Sequence, residues 1–154
     1  SVYRRSLYMH WQRQFLHTML KAFDAPSREE CSAERPRSNT PVAAMNLLND
    51  PNFVEAARVF AERVLAEAPE DTEARLDHAY RLALSRSPSA QERASLGTLH
   101  AFAEKDFKDH PERANELINL GQTKPRDHMN PVELATWTTV SRALFNLSET
   151  TTRN

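Results

Sequence analysis

Three arginines, Arg28, Arg35 and Arg37, lie close together in the sequence, with Asp24 before them and Asn39 after them. A guanidinium is a rigid fork of donors that matches a carboxylate or phosphate at two points, so such a cluster suits recognition of an anion or of an acidic partner loop. The same residues also suit an internal role. A glycine-poor stretch must still satisfy its backbone polar groups, and arginines tied to Asp24, Glu29, Asp50 or helix-terminal carbonyls would hold it in shape. Asp24, Arg28, Arg35, Arg37 and Asn39 are therefore the binding candidates, with the structural reading beside the binding one. Cys31 lies among these arginines, and nearby cations lower a thiol pKa. Glu29, Glu30 and Glu34 offset that field, so the cysteine reads as inert packing.

The rest of the sequence carries little that chemistry would need. The six histidines include no His-Glu-x-x-His pair and no Cys-x-x-Cys-His haem attachment. His10 and His17 share a helix face but stand two turns apart, too far for neighbouring ligands of one metal, and no metal site is expected. A single cysteine rules out an internal disulfide and any all-cysteine metal site. No Gly-x-Ser-x-Gly elbow and no phosphate-cradling glycine loop is present, so no catalytic residue is assigned.

The elements that would position these residues are helices. Tyr3, Leu7, Trp11, Phe15, Met19 and Phe23 recur every four residues, which predicts an amphipathic helix over 2–23. Residues 24–40 break that period with Pro26, Pro36 and many charges, and read as a long ordered loop. Thr40-Pro41 and Asp50-Pro51 are successive helix starts, each a capping residue followed by proline at the first helical position. The second opens a helix over 51–68 whose buried side is expected to carry Phe53, Ala56, Ala57, Phe60, Val64 and Leu65. Asp71 is expected to cap a helix over 72–86, and Ser89 with Glu92 forms a capping-box pattern. A helix starting at Pro111 is expected to end at Gly121 as its C′ residue. Residues 122–129 read as a polar loop. Asn130-Pro131 opens the last helix, which carries Leu134, Trp137, Val140, Leu144 and Leu147, and the polar tail from Ser148 is expected to fray.

The chain has 154 residues, of which 40% are hydrophobic and 27% charged, a composition that suits one globular domain. Only two glycines stand against nine prolines, which argues against an all-β fold rich in tight turns. The formal net charge is −1, with no basic stripe for nucleic acid and no polybasic membrane patch. No apolar run reaches the ~20 residues of a membrane span. The expected fold is all-α: a compact bundle of about seven helices, with one long ordered loop over about residues 24–40. The first residues read as the inside of a helix, so the chain is expected to be a C-terminal fragment of a larger protein, a single helical domain over 1–154.

Several blocks occur in a characteristic order: Arg4, Arg5 and Tyr8; Phe23-Asp-Ala-Pro26 with Arg28; Cys31; Arg35; Arg37-Ser-Asn-Thr-Pro41; Leu47-Leu-Asn-Asp-Pro51; and Phe53-Val-Glu-Ala-Ala57. Ala79-Tyr80 through Arg86-Ser-Pro88 with Glu92 follows, and then Trp137 and Arg142 through Leu147. In this order the chain resembles the C-terminal domain of unknown function found in large multidomain proteins of planctomycetes and related bacteria. It departs from that pattern at Ser148 and Thr150, where acidic and aromatic residues are usual. The resemblance implies an exported, extracytoplasmic setting, periplasmic or at the cell surface, and a separate cytochrome c domain in the parent protein. Any haem would belong to that separate domain, and no cofactor is expected in this one. Nothing in the resemblance implies a catalytic residue. The reading that follows is a non-enzymatic interaction or docking module whose partners are the other domains of its parent, with a polysaccharide or anionic ligand as a further partner. The alternative is a subdomain of an extracytoplasmic enzyme acting on carbohydrate, its site completed by preceding domains.

Overall fold

Proline and capping residues delimit nearly every helix. The computed structural model describes residues 18–25 and 40–151, and these are helical with no strand among them. The helices are α1 (Thr18–Ala22), α2 (Pro41–Asn49), α3 (Pro51–Glu67), α4 (Thr72–Leu84), α5 (Ala90–Asp109), α6 (Pro111–Ile118), α7 (Pro131–Phe145) and α8 (Ser148–Thr151). The all-α expectation is met. The chain divides into two compact units, Ser1–Asn46 and Leu47–Asn154.

The predicted caps carry the hydrogen bonds that helix ends require. Thr40 Oγ1 accepts from Ala43 N at 3.2 Å, and Asp50 Oδ1 accepts from Asn52 N at 2.8 Å. Asp71 Oδ2 accepts from Ala74 N at 2.9 Å. Both halves of the Ser89–Glu92 capping box are made. Each bond satisfies an amide that the helix itself leaves without a partner, worth about 1 kcal/mol of stability. His110 is the exception, preceding Pro111 without a side-chain cap.

In the first unit, α1 stops where the predicted helix over 2–23 was expected to stop. Ala25 N donates to Leu20 O at 2.8 Å and Asp24 N to Lys21 O at 3.3 Å. These are the two bonds of a Schellman motif, and Asp24 takes its left-handed position with φ 54°.

In the second unit, α7 is the central helix and packs against α3, α5 and α6. Trp137, Val140, Leu144 and Ala135 of α7 are buried with Val64 of α3, Leu76 and Tyr80 of α4, Phe107 of α5 and Ile118 of α6. Thr138 and Ser141 are buried in the same helix, which a purely apolar core would not allow. Their hydroxyls donate to the carbonyls one turn back, Leu134 O and Trp137 O, each at 2.7 Å, so no donor is left unpaired.

Two expectations at chain turns are corrected. The helix from Pro111 ends at Ile118, not at Gly121. Gly121 takes φ 107° in the following loop because α3 lies against it, as described below. Residues 148–151 form the α8 turn instead of a frayed tail. Thr150 Oγ1 donates to Leu144 O at 2.7 Å, and Glu149 pairs with Arg86 at 2.8 Å.

Candidate functional site

Of the five sequence candidates, the structure describes only Asp24. It terminates α1 in the left-handed region that Asp and Asn tolerate better than other non-glycine residues. Arg28, Arg35, Arg37 and Asn39, together with Cys31, lie outside the described residues, as does most of the loop predicted over 24–40.

The described residues hold charge chemistry elsewhere. Glu55, Arg58 and Glu62 follow one face of α3 and are 0%, 1% and 3% exposed. Spacings of three and four residues stack them on successive turns of the helix. Glu55 accepts from Gln122 N at 2.7 Å and Thr123 N at 3.1 Å, and from the Thr123 hydroxyl. Arg58 donates to Glu62, to Thr123 O at 3.0 Å and to Thr123 Oγ1 at 2.8 Å. Glu62 also accepts from Arg126 N at 3.4 Å. The predicted polar loop 122–129 is thus held by buried charges on α3. A Cβ at Gly121 would stand 2.3 Å from Glu55 Oε2, so the residue must be glycine for space as well as for its φ. Sequence reasoning assigned α3 an apolar face and missed this clasp. The available signal was a Glu-x-x-Arg-x-x-x-Glu pattern at helical spacing, which elsewhere marks an exposed, salt-bridged face.

Arg86 organises a second polar cluster. It pairs with Glu92 at 2.6 Å and Glu149 at 2.8 Å, and its guanidinium carbon lies 5.3 Å from the Tyr80 ring centroid. The Arg86 side chain, by its hydrogen bonds, holds the Glu92 carboxyl well below the usual carboxylate range. Arg142 donates to Leu48 O at 3.1 Å, closing the carbonyl end of α2. The block from Ala79 to Glu92 therefore encodes the junction between α4 and α5.

Among the described residues, a cleft of about 280 Å³ is walled by α4, α5 and α7. Thr72 and Arg75 line it from α4, His100, Glu104 and Lys108 from α5, and Glu133 and Trp137 from α7. Arg75 Nη1 lies 2.6 Å from Glu133 Oε1, and Lys108 Nζ lies 2.6 Å from Glu104 Oε1. The Lys108 ammonium holds Glu104 below its usual carboxylate value. The His100 ring meets Trp137 edge-on with centroids 5.0 Å apart. Burial holds the His100 imidazole below its usual value, Glu104 opposes that shift and Arg75 adds to it. Burial thus favours the uncharged imidazole, in which one nitrogen donates and one accepts. Among the described residues no three His, Cys, Asp or Glu side chains are grouped to hold a metal ion. No helix among them is long and apolar enough to cross a membrane.

Neither the comparison with curated proteins nor that with solved structures gave a match. The family comparison gave one, over residues 1–100, to the model described as PSD1, protein of unknown function (DUF1553). That span includes the Thr40-Pro41 and Asp50-Pro51 helix starts, the α3 charges and the Arg86–Glu92 junction. The chain belongs to the DUF1553 (PSD1) family.

Proposed function

We propose that this chain is a docking module within an exported, multidomain protein of planctomycete type, in which haem is carried by a separate cytochrome c domain. Its partners are the other domains of that parent, and its setting is extracytoplasmic. The resemblance of its ordered sequence blocks supports the parent context. The observation that carries the docking role is α2. This helix has no charged side chain. Ala43 and Leu47 are buried, whereas Val42 is 61% exposed. An apolar side chain left in water on a helix without charges suits packing against a further surface.

The test is to produce the preceding domains of the parent separately and titrate them with this chain, following hydrogen exchange. Docking is expected to slow exchange over residues 41–49, and Val42→Glu is expected to weaken both binding and protection while leaving the melting temperature unchanged. Binding that leaves α2 exchange untouched, or no binding at all, overturns the reading.

A further inference from the structure

We propose that the cleft between α4, α5 and α7 binds a small zwitterion, in which the ligand's carboxylate takes the place of Glu133 on Arg75 and the released Glu133 receives the ligand's ammonium group.

The argument starts from Arg75. Its side chain is only 11% exposed, and one carboxylate oxygen of Glu133 contacts it through Nη1. Its Nε is buried without a hydrogen-bond partner among the described residues. A guanidinium binds a carboxylate best at two points, so the Glu133 contact leaves donor capacity unused. Glu133 is 45% exposed and belongs to the first turn of α7, where it can turn away at little cost. The amides of that turn are not free to bind an anion, because Asn130 Oδ1 accepts from Val132 N at 2.9 Å and from Glu133 N at 3.4 Å. Arg75 is therefore the anion-binding group at this end of the cleft.

The charge balance selects the ligand. Glu70, Glu104 and Glu133 face Arg75 and Lys108 around the cleft, one carboxylate in excess. A polyanion would meet that excess and be repelled. A ligand bearing one carboxylate and one ammonium keeps the balance, since each new charge replaces a partner that the exchange frees. The volume of about 280 Å³ lies at the small end of ligand sites, which fits a molecule of amino-acid size. His100, backed by Trp137, offers an uncharged face for the ligand's apolar group. This inference does not rest on the docking role of α2.

The experiment titrates the chain with L-leucine and follows the Trp137 indole and His100 ring resonances by NMR. N-acetyl-leucine, which lacks the ammonium, and leucinamide, which lacks the carboxylate, serve as controls. L-leucine is expected to give saturable shifts and to bind about tenfold more tightly than either control, the worth of one charged hydrogen-bonded contact. Glu133→Gln, a change at a half-exposed side chain with the fold checked by a melting curve, is expected to erase the preference for leucine over N-acetyl-leucine. Equal binding of N-acetyl-leucine or leucinamide overturns the zwitterion assignment. So does the lack of any saturable shift up to about 10 mM leucine, a range that would reveal even millimolar affinity.

Discussion

Arg58 and Glu62 on α3 are 1% and 4% exposed at the side chain, whereas Glu133 and Lys108 around the cleft are 45% and 62% exposed. Both regions pair acids with bases at hydrogen-bond distance. They differ in what each pair loses when one partner is removed. On α3 the survivor is a buried charge with no water to take the place of its partner. Around the cleft each pair has a partner that reaches water, Glu133 or Lys108, and only Arg75, 11% exposed, is left largely buried when its partner turns away. The α3 charges are for that reason committed to holding the 121–126 loop, while those of the cleft can exchange partners. The comparison teaches that ion pairing says little by itself, and that burial decides whether a pair is structure or a place to bind.

The largest expected effect tests that contrast directly. Arg58→Ala is expected to destabilise the chain by about 3–5 kcal/mol, as breaking a buried pair does, and Glu133→Ala, which removes a half-exposed partner from Arg75, by about 1–2 kcal/mol. Urea denaturation of both variants measures the difference, and equal losses would dissolve the distinction. Next comes Gly121→Ala. Its Cβ would meet the Glu55 carboxylate at a residue with φ 107°, and a loss of about 1–3 kcal/mol is expected from backbone strain alone. A melting temperature equal to wild type would mean that the loop is not clasped as described. Gly97 provides the opposite case, since nothing lies within 4 Å of its would-be Cβ in the interior of α5. Gly97→Ala is expected to raise stability by about 0.5–1 kcal/mol, read in the same denaturation series.

The smallest effect is a pH dependence of the cleft. Burial holds His100 below the usual imidazole value of 6.5, and Glu104, Glu133, Arg75 and Lys108 face it. The folded state therefore resists a proton that the unfolded chain accepts. Its contribution to stability is whole above pH 6.5 and is lost as pH falls from there through the lowered folded-state pKa. The melting temperature is expected to fall between about pH 7 and pH 5 by more in wild type than in His100→Gln. Parallel curves for the two proteins would show that the imidazole is as easily protonated as in water.

The helices were legible in the sequence because their signals are local. Asp50-Pro51, Asp71, Ser89 with Glu92, and Asn130-Pro131 each mark a start within four residues, and each holds in the structure. Gly121 shows where local reading stops. A glycine shortly after a helix suggests a C′ cap, yet this one is required by a carboxylate sixty-six positions earlier in the chain. Glu55, Arg58 and Glu62 show the same limit, since their spacing is that of an ordinary exposed charged face. Of the candidate site only Asp24 can be compared, and its place is that of a helix terminator.

By itself, the sequence determined the all-α class and most helix boundaries, because caps, prolines and apolar period act over a few residues. Only the tertiary structure decided which charges are buried, why Gly121 must be glycine, and that Arg75, His100 and Glu133 share one cleft. Those facts depend on which helix faces meet, and contacts between distant segments leave no period in the sequence.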